Sequence, residues 1–166
     1  MNWFIKCLRQ YADFKGRAQR AEYWYFSLFY FLAYVVGFIL DNALGTQSRH
    51  KDAAGLVTFL IFVGLCVPAM SVTIRRLHDT GRSGWWLLLL ALPAVVGGVL
   101  MVFGGLAVVA AIGFGVEMGL FGLGTMMIGA LIALGGAVWW VYVFVQPSQP
   151  GMNEYGPPPG VVVTEG

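Results

Sequence analysis

WWLLLLALPAVVGGVLMVFGGLAVVAAIGFGVEMGLFGLGTMMIGALIALGGAVWWVYVFV, residues 85–145, carries a single charged side chain, Glu117. A helix rises about 1.5 Å per residue and a bilayer's hydrocarbon core is about 30 Å thick, so about 20 apolar residues make one crossing. The run is long enough for two tilted helices with a turn near Glu117. Three shorter helices would also fit, and would put Glu117 inside the bilayer. Glycines 113, 115 and 119 flank Glu117, and a midplane carboxylate would cost about 2.5 to 3.5 kcal/mol on insertion scales. Two crossings are therefore expected here.

The rest of the chain reads the same way. Tyr23 to Leu40 and Ala53 to Ile74 have no charged residue. Of the 166 residues 58% are hydrophobic and 11% charged, against about 25% charged in a soluble domain. With a mean hydropathy of +0.74 there is too little polar surface to cover a water-soluble globule. The expected fold is all-α, a polytopic transmembrane helical bundle of four spans, about 23–41, 53–74, 85–112 and 119–145. These lie in a membrane domain, 1–149, followed by an extended Pro/Gly-rich tail, 150–166. Pro68 falls inside the second span and frees a carbonyl that must find a partner within the bundle. Cys7 and Cys66 read as two free thiols. No cleavable signal peptide is evident, because Lys6, Arg9, Lys15, Arg17 and Arg20 leave no apolar core behind a basic start.

Residues 2–14 are expected to form a short amphipathic helix in the headgroup plane. Trp3, Phe4, Cys7, Leu8 and Tyr11 make its apolar stripe, and Lys6, Arg9, Gln10 and Asp13 its polar side. Gly16 is a plausible stop. Orientation follows from the basic residues near the span ends. Five lie in the N-terminal segment and three in the 75–84 loop, against Arg49 and Lys51 in the 41–52 loop. With an even number of spans, the N-terminus, the 75–84 loop and the tail share the cytoplasmic side.

Three polar stretches interrupt this pattern. RRLHDTGRSGWW, 75–86, is explained without chemistry as an anchored turn. Arg75, Arg76 and Arg82 hold the cytoplasmic side, Asp79, Thr80 and Gly81 turn the chain, and Ser83 caps the next helix. Alternatively His78 and Asp79 form a proton-transfer pair, but neighbours on a helix point in different directions. A metal site would need more ligands, and His50 belongs to the opposite face. A third reading is anion recognition, since paired arginines hold phosphate bidentately. FKGRAQRAEYW, 14–24, places Glu22 just inside the first span, where it should pair with Arg20 or with an arginine of 75–82. PGMNEYGPPP, 150–159, reads alone as a loop.

Taken together, GR-x-x-R-x-E-Y-W, RRLHDTGRSGWW and G-x-N-x-YG-x-x-P resemble the bacterial domain of unknown function 805, small multi-pass inner-membrane proteins without an assigned activity. The resemblance covers nearly the whole chain. The positions it implies are Gly16, Arg17, Arg20, Glu22 and Trp24, then Arg75, Arg76, His78, Asp79, Gly81, Ser83, Gly84 and Trp85, and finally Asn153, Tyr155 and Gly156. Two departures stand out. Gln19 replaces a serine that would form a capping box with Glu22, and the Gly-rich region from about Val99 to Gly136 is longer than the family suggests.

The expectation that follows is one cytoplasmic polar cluster, with Asp79 and Glu22 paired among arginines and Asn153–Tyr155 folded back over it. There is no nucleophile beside a base, no phosphate-cradling glycine loop and no multi-histidine cluster. The leading reading is a non-enzymatic membrane protein whose cluster binds anionic lipid headgroups or a partner protein. No cofactor, metal or nucleic acid is expected. One alternative is a small oligomeric transporter or channel lined by the Gly-rich helices, with Glu117 facing water. Another is a lipid-headgroup enzyme using His78, Asp79 and the arginines. Gly115 and Gly119, and Gly129, Ala133 and Ala137, recur at helix-packing spacing. Packing within one chain is the first reading and a homo-oligomer the second.

Overall fold

Among the described residues every regular element is a helix. The computed structural model describes residues 3–46 and 55–159. In order it contains α1 (Trp3–Arg9), α2 (Arg20–Leu44), α3 (Leu56–Asp79), α4 (Trp86–Phe114) and α5 (Val116–Val145). Helices α2 to α5 are each long and apolar enough to cross a membrane. The four expected spans are present, and the protein is an integral, multi-pass membrane protein. Arg49, His50 and Lys51, which entered the orientation and metal arguments, lie outside the described residues. The chain divides into two units, Met1–Gly84 with Pro147–Gly166, and Trp85–Gln146.

In the first unit α2 and α3 form an antiparallel pair, with α1 packed against both. The turn end of this pair is closed by Asp41, a fully buried carboxylate. Its oxygens accept the N–H groups of Val57 (2.9 Å) and Thr58 (2.8 Å), and the hydroxyls of Thr58 (2.6 Å) and Thr46. The first N–H groups of a helix have no partner of their own, and they favour negative charge. The N-cap of α3 is Gly55, which has no side chain to offer. The Asp41 carboxyl fills the space where a Gly55 Cβ would stand. The sequence puts Asp41 at the junction of the first span and a polar loop; in the structure it lies in the last turn of α2, and its carboxylate caps α3.

Pro68 lacks the N–H that would bond the carbonyl of Gly64. That carbonyl accepts the Tyr11 hydroxyl at 2.7 Å. The partner the proline demanded thus comes from the N-terminal segment. Helix α1 is shorter than the expected 2–14, ending at Arg9. Beyond it the Ser71 hydroxyl lies within hydrogen-bond reach of the carbonyls of Asp13 (2.5 Å) and Gln10 (3.2 Å). Gly16, at φ 79°, then turns the chain toward α2.

The second unit is a helical hairpin, α4 against α5, turning at Gly115 (φ 97°). Glu117 falls in the first turn of α5. Gly97 and Gly104 on α4, and Gly122, Gly129 and Gly136 on α5, recur every seventh residue and so return to one face. A Cβ on Gly97 would lie 2.6 Å from the Gly129 carbonyl oxygen, and one on Gly104 equally close to that of Gly122. Gly136 abuts Pro93, and Gly119 faces Ala111. The small residues therefore bring two backbones together within the chain. With 29 and 30 residues, the two helices are each about 45 Å long, more than a 30 Å hydrocarbon core requires. Ser83 does not cap α4, contrary to the sequence reading. The helix starts later, with Trp85 at the N-cap and no side-chain cap bond.

Candidate functional site

The RRLHD stretch is the last turn of α3 and not a loop. The final carbonyls of a helix have no partner within it, and here they are claimed from two directions. Arg75 O accepts the Ala18 N–H at 3.0 Å and Asp79 O the Gln149 N–H at 3.0 Å. Leu77 O accepts from Thr80 and Arg82, and His78 O from Gly81 and from Asn153 Nδ2 (3.0 Å). The N-terminal segment and the tail therefore meet on the end of α3 because that end needs donors.

Around this framework sit two buried carboxylates, each held by two cations. Glu22, with no exposed surface, accepts from Lys6 Nζ at 2.7 Å on Oε2 and from Arg75 Nη1 at 2.8 Å on Oε1. Of the partners foreseen for it, Arg75 is realised; Lys6 was not foreseen. Cys7 points its thiol at Glu22 Oε1, 3.7 Å away. Burial, and then the negative charge of Glu22, push that thiol up to about 11 from an ordinary 9.0, with Arg75 pulling the other way. Both cysteines are free thiols.

Asp79, also fully buried, receives Arg17 Nε on Oδ1 at 3.0 Å, and Arg76 Nη1 and the Ser148 hydroxyl on Oδ2. Arg17 then ties the tail down. Its Nη2 donates to Gln149 O (2.6 Å) and its Nη1 to Gly151 O (2.8 Å) and Gly156 O (3.4 Å). The tail folds into a turn in which Tyr155 N–H donates to Asn153 Oδ1 (2.9 Å) and Asn153 pairs with Gly156. This turn lays the Tyr155 ring on His78, with centroids 3.8 Å apart and planes 2° from parallel. His78 Nδ1 lies 3.3 Å from Gly16 O.

The structure thus brings together Arg17, Glu22, Arg75, Arg76, His78, Asp79, Asn153 and Tyr155. Three of the named residues sit at its edge. Arg20 is exposed at the start of α2, near enough for its charge to act on Arg76. Arg82 is half-buried and donates to Thr80 Oγ1 (3.1 Å). Ser83 is half-buried with no capping role. Sequence reasoning missed Lys6 and Gln10, assigned to a solvated helix face, and Ser71, Ser148 and Gln149, which carry no motif signal. Gln19, read as a poor cap, indeed makes no cap bond; its amide donates to Pro159 O at 2.9 Å.

One arginine is only partly used. Arg75 spends Nη1 on Gln10 Oε1 (2.6 Å) and Glu22. Its Nε and Nη2 are buried and, among the described residues, have no hydrogen-bond partner. Buried donors left unpaired cost about 1–3 kcal/mol. Arg75 borders a cavity of about 400 Å³ that is also lined by Lys15, Tyr155 and Pro157–Pro159.

The profile of the family described as protein of unknown function DUF805 matches residues 11–157. The chain belongs to that family. It is 39% identical over 103 residues to the inner membrane protein YhaH of Escherichia coli strain K12, covering 62% of this chain and 84% of that one. It is 35% identical to the inner membrane protein YhaI of the same strain, covering 62% and 82%. The uncharacterized protein YiiR of that strain is 36% identical over 80 residues, covering 47% and 49%. No solved structure matches. The matched span of this DUF805 chain takes in both arms that meet on α3, from Tyr11 to Pro157.

Proposed function

We propose that this DUF805 protein is a multi-pass protein of the bacterial inner membrane, with its N-terminus cytoplasmic, that holds anionic lipid headgroups against the polar cap on α3 and performs no chemistry of its own. Residence in the inner membrane is supported by the names of YhaH and YhaI and by the four apolar helices. The orientation is supported by the cap itself, since a cluster rich in arginine and lysine belongs on the positive, cytoplasmic side.

One observation carries the lipid reading. Each buried carboxylate is outnumbered by its cations, Glu22 by Lys6 and Arg75, and Asp79 by Arg17 and Arg76. Excess positive charge at the headgroup level attracts anionic lipid, at about 1 kcal/mol per basic residue near the surface. Arg9, Lys15 and Arg20 add exposed cations at the same end of the unit. The enzyme alternative has less support. Asp79 has both oxygens committed to arginines, and His78 faces Tyr155 and Gly16 rather than Asp79.

The test is a lipid-preference measurement in nanodiscs, reading quenching of native tryptophan by brominated lipid. Phosphatidylglycerol should be preferred over phosphatidylcholine by about fivefold or more, and the preference should fall with salt. Arg9→Gln combined with Arg20→Gln should reduce it. Equal partition of the two lipids would refute the reading.

A further inference from the structure

The tail's hold on α3 is polar along its whole length. From Gln146 to Pro159 no residue is buried, whereas the groups beneath, Arg17, His78 and Asp79, are. The segment is held by Arg17, by Ser148 and Gln149 on Asp79, by the Asn153 amide on His78 O and by the Tyr155 ring. Each such bond replaces one with water and contributes little net, while ordering the segment costs entropy at every residue. It therefore belongs to the low-stability end of the molecule, able to open while the helices stay folded.

The end of the Arg17 guanidinium meets three carbonyl oxygens of this segment. Nη2 donates to Gln149 O (2.6 Å), and Nη1 to Gly151 O (2.8 Å) and Gly156 O (3.4 Å). The turn that aims these oxygens holds Gly151 at φ 79° and Gly156 at φ 120°, where a side chain would be strained. Nη1 and Nη2 are also the fork that holds a phosphate through two parallel bonds. The tail fills that fork with uncharged oxygens, and its Glu154 is not among the partners of Arg17. Arg17 and Arg76 share one carboxylate, Asp79. Their surplus charge is one that a carbonyl cannot neutralise and an anion can.

We propose that residues 147–159 are an autoinhibitory strap, whose carbonyls occupy the Arg17 fork in place of the phosphate of an anionic lipid headgroup. Headgroup binding at Arg17 and closure of the strap exclude each other. This deepens the lipid reading above and rests on it. With the strap closed, the exposed cations Arg9, Lys15 and Arg20 meet the lipid. With it open, Arg17 joins them, its Nε still on Asp79 Oδ1.

Hydrogen exchange of the full chain in nanodiscs reads the strap directly. Gln149 N–H on Asp79 O and Tyr155 N–H on Asn153 Oδ1 report its closure, and Ala18 N–H on Arg75 O is the internal control. Replacing one phosphatidylcholine in four by phosphatidylglycerol should speed exchange over 147–159 about tenfold and leave Ala18 unchanged. Inorganic phosphate added to discs of phosphatidylcholine alone offers the fork a free anion. Release by phosphate but not by phosphatidylglycerol would overturn the headgroup as the competitor.

Mutual exclusion is reciprocal, so loosening the strap must strengthen lipid binding. Gly156→Ala strains the strap through its φ, and the added Cβ meets no atom within 4 Å. It should raise the phosphatidylglycerol preference, read by brominated-lipid quenching, about fivefold. Arg17→Lys keeps a cation on Asp79 without the fork and should make tail exchange indifferent to lipid. If Arg17→Lys fails to fold, the wild type and Gly156→Ala still decide. A lipid preference that leaves tail exchange unchanged would overturn the strap while the surface reading stands. No preference in either protein would refute the lipid reading itself.

Discussion

The two units of this protein solve the same problem with opposite materials. The first packs α2 on α3 and then gathers two buried carboxylates and four cations, three of them buried, at one end of the pair. The second has one charged side chain from Trp85 to Gln146, and its seam is glycine against backbone. Buried ion pairs are costly to desolvate and contribute little net stability, but losing one partner is severe. A glycine seam holds no such stored cost and fails only when volume is added. The units should therefore break under different substitutions.

The largest expected effect is in the first unit. Asp79→Asn keeps the shape and leaves Arg17 and Arg76 buried without a counter-charge, which should cost about 3–5 kcal/mol in detergent unfolding. The mirror experiment in the second unit is Gly97→Leu, where a Cβ meets the Gly129 carbonyl; overpacking of this kind costs about 1–3 kcal/mol. Gly98→Leu, one residue away and with nothing within 4 Å, should leave stability unchanged. If Gly98→Leu proves as damaging as Gly97→Leu, the seam is not where the glycines place it.

Removing residues 150–166 takes away the Gly151 and Gly156 carbonyls and Tyr155 together. Limited proteolysis of the 75–84 segment should accelerate by about tenfold or more, as expected where local opening becomes easier. An unchanged cleavage rate would mean that the tail contributes nothing to the cap. A smaller effect is due at Tyr11. Tyr11→Phe strips the partner from the carbonyl freed by Pro68 and should cost about 1 kcal/mol.

The smallest effect is in pH. The folded protein holds the Cys7 proton more tightly than the unfolded chain does, with the thiol at about 11 rather than 9.0. The stability this confers is fully present below pH 9 and declines as pH rises from 9 to 11. In the same window Cys7 alkylation in the folded protein should rise toward the rate of an ordinary thiolate. Fast labelling at pH 7 would contradict the buried site.

How much of this was legible in the sequence follows the same division. Long uncharged runs report crossings directly, because a bilayer imposes length and polarity on any segment within it, and the second unit is little else. Glycines 97 and 98 are adjacent and chemically identical, yet only the first lies on the seam. Composition marks such a stripe without saying which face it covers. In the first unit the charged motif residues were visible, whereas their partners were not. Lys6 and Gln10 read as a solvated helix face because nothing local shows that Lys6 meets Glu22 and Gln10 meets Arg75. Asp41 had one available signal. A helix beginning at Gly55 has no cap of its own, and the nearest carboxylate at the end of the preceding span is the natural donor of one.

The reach of Arg17 has a consequence in time. Its acceptors Gln149 and Gly156 lie 132 and 139 residues further along the chain. At about 5–20 residues per second of synthesis, the cap stays unfinished for roughly 7 to 28 seconds after Arg17 is made. Through that interval Arg17 lacks its tail carbonyls. Closure of the cap therefore waits until every span has been made and the tail has come back to the end of α3.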